Sequence, residues 1–234
     1  MTGTWSEDSL WQLRARRYAG DGAAPAVVLS GRPLAEVLQQ VGDLVGSAAA
    51  ERVPGAAEVA ERCIAALDER GWEGDEELAR QLAAALGRGP VSILRPLAVD
   101  LEELSGLLEG DPVFAGGRID LTTGDCWPQQ IVFDGQEERA EDTDSDRWLP
   151  VWCEGSREGY RDMELFIATV GDAGFAESLE IAVTGRAAFR RFRDVLARRE
   201  DELHRFHLFA EERQRGRARA WLAGRGYHPA ARRR

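Results

Sequence analysis

The arginines are the most prominent candidates for functional residues in this sequence. All 30 basic residues are arginine and none is lysine. Four of them, Arg190, Arg191, Arg193 and Arg198, flank an apolar stripe in one predicted helix. Guanidinium groups bind carboxylates and phosphates bidentately, so these residues form a candidate site for an anion or an acidic partner. The same pattern is typical of a solvated helix face whose arginines pair with Asp194. Both interpretations stay open at this point.

The histidines and cysteines, which could serve as metal ligands or catalytic residues, lack the spacing that such sites require. His204 and His207 can share a helix face, but no third ligand and no HExxH motif accompany them. Cys63, Cys126 and Cys153 match no zinc-binding spacing, and we expect free thiols. The sequence also has no GxSxG elbow, P-loop or GxGxxG motif. We therefore expect no catalytic residue, no cofactor and no bound metal, while an enzyme of an unrecognised type stays an alternative.

Carboxylates are most concentrated between Asp134 and Asp146, where seven acidic residues are accompanied by Arg139 alone. The DTDSD run in this segment lacks the central glycine and the terminal glutamate of an EF-hand loop. We therefore expect a solvated loop and no calcium site. Asp120 and Asp125 lie on either side of a predicted turn, and we expect them to form the turn.

Charge is unevenly distributed along the chain, whose net charge is −11. Residues 1–90 have 9 arginines and 14 acidic residues. Residues 91–180 have 6 arginines and 21 acidic residues, and residues 181–234 have 15 arginines and 6 acidic residues. The three blocks therefore carry −5, −15 and +9. Such blocks indicate interaction surfaces or neutralisation between segments.

The charge blocks lead to a specific hypothesis about the arginines of residues 186–219. Some of them are expected to neutralise the acidic segment, within one molecule or within a homodimer. The others, around Arg190, Arg191 and Arg193, are expected to meet a partner. An acidic chain is a poor ligand for duplex DNA as a whole, but its basic C-terminal third could contact nucleic acid locally.

Hydrophobic periodicity predicts the helices and strands that carry these residues. Residues 1–93 read as a helical N-terminal region, with helices expected from Pro33, around Val59 and from an Asp75 cap. Residues 94–228 read as an α+β domain, and residues 229–234 as a basic tail. The expected class is α+β, with a small antiparallel sheet packed on C-terminal helices.

The predicted sheet begins with a hairpin whose turn contains Gly124, a residue that tolerates the positive φ of such turns. Its two strands are residues 118–121 and 126–127, followed by residues 131–133 and 148–152 as further strands. After Ser156 the periodicity becomes helical. Apolar stripes in this part place Phe166, Phe189 and Phe192 together in a core.

Several blocks of the sequence, taken together, resemble a bacterial family known as uncharacterised protein family 0158. They are IDLTTGDCW, an acidic stretch, DRWLP, YRDMELFI, GRAAFRRFRDVL and AWLAGRGY, in this order. The resemblance covers about residues 94–227, and the segment VWCEG after Pro150 departs from the more proline-rich linker of the family pattern. It implies the fold and no activity, cofactor or site residue.

The sequence alone favours a non-enzymatic interaction module that binds a protein partner through the acidic sheet edge or the arginine-rich helices. A nucleic-acid-associated protein and an enzyme of an unrecognised type are the alternatives. The start of the chain lacks the apolar region of a signal peptide, and no apolar run reaches the length of about 20 residues that spans a bilayer. We therefore expect a cytoplasmic protein without a membrane partner, in which a homodimer is possible.

Overall fold

A computed structural model describes residues 5, 34–89, 93–110, 113, 115–129 and 145–230. The chain divides into two compact units. One comprises Met1–Leu101 together with Arg215–Arg234, and the other is Glu102–Gln214. The predicted strand at residues 131–133 and most of the acidic segment lie outside the described residues.

The described part of the chain has eight α-helices and five short strands. In chain order they are α1 (Leu38–Ala50), α2 (Ala56–Arg70), α3 (Asp75–Ala85), β1 (Arg95–Leu97), α4 (Leu101–Leu108), β2 (Gly117–Asp120), β3 (Cys126–Pro128), β4 (Trp148–Val151), α5 (Arg157–Ile167), α6 (Ala173–Val183), α7 (Ala188–Leu196), α8 (Glu200–Gly224) and β5 (Tyr227–Pro229). Residues 200–214 of α8 belong to the second unit, and its last ten residues belong to the first.

The first unit has a core built from α1, α2 and α3. Its buried apolar residues recur at helical spacing in each of them, namely Leu38, Val41 and Val45 in α1, Val59, Cys63 and Leu67 in α2, and Leu78 and Leu82 in α3. Helix α1 begins at Leu38, later than the start at Pro33 that we predict, because residues 35–37 form a turn in which the Val37 N–H donates to the Leu34 carbonyl at 3.0 Å.

Two glycines let the backbone of α8 pass close to the turn between α2 and α3. A Cβ added to Gly216 would overlap the carbonyl oxygen of Glu73, and one added to Gly74 would overlap the carbonyl of Gly216. Gly74 also has φ of +82°, which disfavours any side chain. The crossing therefore depends on glycine on both sides.

A two-stranded parallel sheet, which was not predicted from the sequence, completes the first unit. Strand β1 pairs with β5 in the register Arg95–Tyr227 to Leu97–Pro229. The guanidinium of Arg95 lies 4.3 Å from the centre of the Tyr227 ring. Three-residue strands that contain a proline carry too little alternation to be recognised in the sequence. Strand β5 ends at Pro229, the first residue of the predicted basic tail.

The second unit contains the antiparallel sheet, with strand order β3-β2-β4. The predicted hairpin is present, with Ile119 opposite Cys126 and Gly124 at φ +81° in the turn. The carboxylate of Asp120 accepts the N–H of Thr122 at 2.8 Å, as expected of a turn-forming aspartate. Strand β4 forms the other edge. The α+β class that we predict from the sequence is therefore confirmed.

Helices α5, α6, α7 and α8 build the core of the second unit. Its buried members are Met163, Phe166, Ile167, Phe175, Leu179, Val183, Ala188, Phe192 and Leu196. The ring of Phe206, in α8, lies 5.1 Å from that of Phe166 and 4.9 Å from that of Phe192, and both pairs meet edge to face. In the described residues, no helix is both long enough and apolar enough to span a membrane.

Candidate partner-binding surface

Helix α7 turns a narrow apolar side toward the core of the second unit and presents arginines to solvent. Ala188, Phe192 and Leu196 are buried and lie four residues apart, a spacing that puts them on one face of a helix. Arg190 and Arg193 fall between them and are exposed, the Arg190 side chain to 81%. The short helix is therefore held by these apolar side chains along one side, with the partly buried Val195 beside them.

Most of the arginines on this surface have few partners in the protein. The Arg190 guanidinium lies 4.0 Å from the Asp194 carboxylate, and exposed pairs of this kind contribute about 0–1 kcal/mol. Among the described residues, Arg186, Arg193 and Arg198 have no hydrogen-bond or ion-pair partner, and all three are exposed. Four cations are thus left to solvent in a span of 13 residues.

The neighbouring Arg191 and Arg199 have internal contacts. Arg191 donates to the carbonyl of Thr184, the C-cap residue that follows α6. Arg199 pairs with Asp172 at 2.7 Å, and its guanidinium lies 4.3 Å from the centre of the Phe175 ring. All four arginines singled out in the sequence are exposed, and Arg191 differs from Arg190, Arg193 and Arg198 in that it also supports the fold.

The expectation that Phe189 is buried with Phe166 and Phe192 is wrong. Phe189 is 41% exposed, whereas Phe166 and Phe192 are fully buried at 1% and 0%. The physical reason is that α7 has only nine residues, so its core side is filled by positions 188, 192 and 196, and position 189 lies on the flank. One edge of the Phe189 ring faces Gly159 of α5.

The arginines of the N-terminal part of α8 are used differently. Arg205 pairs with Glu202 at 2.8 Å and donates to the hydroxyl of Thr169 at 2.6 Å. Arg213 pairs with Asp162, whose side chain is buried. These contacts join α8 to α5 and to the residues that follow it. They therefore contribute to the packing of the second unit.

Arg219, in the C-terminal part of α8, is 1% exposed and has polar partners on two helices of the first unit. Its Nε donates to Gln39 at 2.8 Å, and its two terminal nitrogens donate to the Asp43 carboxylate at 2.9 and 3.0 Å. It also donates to Gln81 at 2.9 Å. A bidentate pair with further hydrogen bonds is the arrangement that makes a buried guanidinium tolerable.

The network continues from Gln39 to the buried Asp75. Gln39 donates to the Asp75 carboxylate at 3.0 Å, and Arg70 donates to the same carboxylate at 2.7 and 2.9 Å. The N–H of Trp72 donates to it at 2.9 Å. Asp75 is not the N-cap that we predict, because Gly74 occupies that position. The Asp75 carboxylate instead accepts a hydrogen bond from the turn that precedes the helix.

This network was not predicted from the sequence. The available signal is that Gln39 and Asp43 are spaced by four residues inside the apolar helix α1, so that they share a face with each other. A polar pair at helical spacing between buried apolar residues indicates an internal polar partner. The sequence does not reveal that this partner is Arg219, which lies 180 residues from Gln39.

The hypothesis that helix arginines neutralise the acidic segment stays a prediction. The carboxylates found beside Arg205, Arg213 and Arg219 are Glu202, Asp162 and Asp43. None of these three lies between residues 134 and 146. Most of that segment lies outside the described residues.

Two aspartates have a pKa that is shifted by their surroundings. The side chain of Arg147, which donates to the Asp120 carboxylate, holds the pKa of Asp120 below its usual value. At Asp172 the N–H of Phe175, followed by the Arg199 side chain, lowers the pKa in the same way. Both carboxylates are stabilised in the charged form, which suits a structural role better than that of a general acid.

The predicted histidine pair and the three cysteines lie on different elements of the fold. His204 is half-buried and His207 is exposed in α8. Cys63 lies in α2, Cys126 in β3 and Cys153 after β4, and they form no disulfide with one another. Over the residues that the structure describes, no three His, Cys, Asp or Glu side chains converge as metal ligands would.

The fold and this surface together define a two-unit α+β protein with an exposed, arginine-rich helix in its second unit. Residues 133–234 match the model of the family described as Uncharacterised protein family (UPF0158). The match confirms over that segment the resemblance seen in the sequence blocks, and it leaves out residues 94–132. No curated protein and no solved structure matches the chain.

Proposed function

We propose that the protein is a non-enzymatic interaction module of the bacterial cytoplasm, which binds an acidic protein partner through the exposed arginines of residues 185–199. The observation that carries this proposal is an excess of exposed positive charge, in which Arg186, Arg193 and Arg198 have no ion-pair partner among the described residues. Six arginines and only Asp194 as an acidic residue lie in this stretch. Guanidinium groups that are exposed and have no carboxylate beside them are available for bidentate contacts with a partner.

The charge of the rest of the unit supports a protein partner over a nucleic acid. Residues 102–214 contain 13 arginines and 26 acidic residues, a net charge of −13. A polyphosphate would be repelled by this field on approach, and its affinity depends on many neutralised phosphates. A protein segment with a few carboxylates needs only the local basic surface.

The proposal is tested by fluorescence anisotropy with a labelled oligoglutamate peptide and a labelled oligo(dT) of equal charge. The informative variant is Arg190→Glu/Arg193→Glu, because Arg191 also supports the fold. The matched control is Arg80→Glu/Arg88→Glu in the first unit, where both side chains are similarly exposed, at 65% and 66%. The two variants change the net charge equally.

We expect the oligoglutamate affinity to fall about tenfold or more in Arg190→Glu/Arg193→Glu, since each exposed contact is worth up to about 1 kcal/mol. The control variant should stay close to wild type. Equal losses in both variants, or no binding by the wild type, would contradict the proposal. Tighter binding of oligo(dT) that depends on Arg190 and Arg193 would instead establish the nucleic-acid alternative.

A further inference from the structure

Two large apolar side chains, one near the end of α6 and one at the start of α7, are exposed to solvent. Ile181, near the end of α6, is 67% exposed, and Phe189, at the start of α7, is 41% exposed. Both have buried neighbours, Ala182 and Ala188. Single exposed apolar residues are ordinary on protein surfaces, but large ones beside a functional surface are the usual anchors of an interface.

Three contacts bring the end of α6 and the start of α7 to one corner of the second unit. The Tyr160 hydroxyl of α5 donates to the carbonyl of Val183 at 2.8 Å, which ties α5 to the end of α6. The adjacent Gly159 faces the Phe189 ring. Arg191 of α7 donates to Thr184. The end of α6, which contains Ile181, and the start of α7 therefore meet beside the same turn of α5.

The corner combines apolar anchors with an excess of positive charge. Residues 173–199 contain six arginines and three acidic residues, Glu177, Glu180 and Asp194. Arg190 and Arg193 lie one and four residues from Phe189, so that Phe189 and Arg193 are neighbours on the helix surface. A ligand that is only acidic would leave the two apolar side chains in water, and one that is only apolar would leave the arginines unused.

We infer that the partner segment is one in which acidic residues alternate with large apolar side chains, the apolar ones covering Phe189 and Ile181 and the carboxylates meeting Arg190 and Arg193. This inference rests on the proposed function and specifies its partner. Burial of an aromatic side chain beside ion pairs excludes water from the aromatic ring and from the ion pairs. Such burial is how a small interface gains affinity. Phe189 is then the residue that decides which acidic partners are accepted.

The test compares two labelled peptides of equal length and charge, one with glutamate and leucine interleaved and one with serine in place of each leucine. Wild-type protein should bind the leucine peptide about tenfold more tightly, as expected for burial of one large apolar side chain. This ratio should persist at high salt, where the affinity for both peptides falls, because apolar burial is not screened.

The variants are Phe189→Ala, Ile181→Ala and the conservative Phe189→Leu, with Leu165→Ala as the control at a residue of similar exposure, 39%. Phe189→Ala should remove most of the preference for the leucine peptide and leave the binding of the serine peptide unchanged. Phe189→Leu should retain the preference, and Leu165→Ala should not alter it.

Equal affinity of wild type for the two peptides, or a preference that survives Phe189→Ala and Ile181→Ala together, would overturn the inference while the proposed function stands. Binding of neither peptide, or binding that Arg190→Glu/Arg193→Glu leaves intact, would remove the proposed function itself. Self-association that competes with the leucine peptide and is lost in Phe189→Ala would identify a second copy of the chain as the occupant, against the inference of a separate partner.

Discussion

Helices α7 and α8 are both rich in arginine, and they use it in opposite ways. Residues 185–199 have six arginines and one acidic residue, whereas α8 has five of each. The Arg190 side chain is 81% exposed, and that of Arg219 is 1% exposed and bound to Asp43. An arginine in a charge-balanced helix with buried carboxylates around it stabilises the fold. An arginine in an unbalanced helix is available for binding.

The largest expected effect is at Arg219. Arg219→Ala leaves the Asp43 carboxylate without its bidentate partner inside the first unit, and breaking a buried pair costs about 3–5 kcal/mol. Arg193→Ala is the matched control on α7 and should change the free energy of unfolding by less than about 0.5 kcal/mol. Urea unfolding of both variants checks this. Similar decreases in the free energy of unfolding at Arg219 and Arg193 would show that the arginines of α7 and α8 have the same structural role.

The second prediction concerns the close crossing of α8 over the turn at Gly74. Gly216→Ala should destabilise the protein by roughly 1–3 kcal/mol, because its Cβ would overlap the Glu73 carbonyl and the backbone must shift. Gly224→Ala in the same helix meets no atom within 4 Å and should be neutral or stabilising by up to about 1 kcal/mol. Thermal melting of the two variants measures the contrast.

An arginine of intermediate exposure provides a third test, through pH. The Arg147 side chain is 37% exposed and pairs with the buried Asp120 at 2.6 Å, which lowers the Asp120 pKa. The folded-state pKa is thus below the unfolded value of about 3.9, so the pair stabilises the protein above that pH and the stability is lost as the pH falls through the folded pKa.

Asp120→Asn should therefore show a weaker loss of stability than wild type between about pH 4 and pH 2. Some acid sensitivity should persist, since the pKa of Asp172 is lowered as well. Urea midpoints measured across this range provide the comparison. Parallel curves for the variant and the wild type would show that the Arg147–Asp120 pair contributes nothing to acid stability.

The smallest expected effect lies at the entry to α7. Ala187 has φ of +58°, a left-handed conformation that costs a residue with a Cβ about 1 kcal/mol. Ala187→Gly should remove this strain and stabilise the protein by roughly 0.5–1 kcal/mol. Differential scanning calorimetry can resolve the change. A lower melting temperature would show that the alanine side chain has a favourable contact here.

Local patterns in the sequence predicted the elements of this fold well, and they failed where long-range pairing decides. The hairpin around Gly124 and the apolar stripe of α5 depend on neighbouring residues, so periodicity and turn chemistry identify them. The pairing of β1 with β5 and the contact of Arg219 with Gln39 join residues more than 130 positions apart. No local pattern encodes such a pairing.

The candidate site was predicted only in part, because part of it depends on contacts between helices that local sequence patterns do not reveal. Arginine clustering is visible in the sequence, and the exposed Arg190, Arg193 and Arg198 belong to the predicted set. The exposure of Phe189 depends on which three positions α7 buries against its neighbours. An aromatic residue one position after a buried alanine fits either the core or the flank of so short a helix.

An NMR titration of the arginine side-chain Nε–Hε signals with oligoglutamate distinguishes the arginines that bind a partner from those that stabilise the fold. We expect the signals of Arg190, Arg193 and Arg198 to shift in a saturable way. Those of Arg213 and Arg219 should stay in place, because their Nε donors are already bound inside the protein. Shifts confined to Arg213 and Arg219, or no saturable shift at Arg190 and Arg193, would show that α7 is not the binding surface.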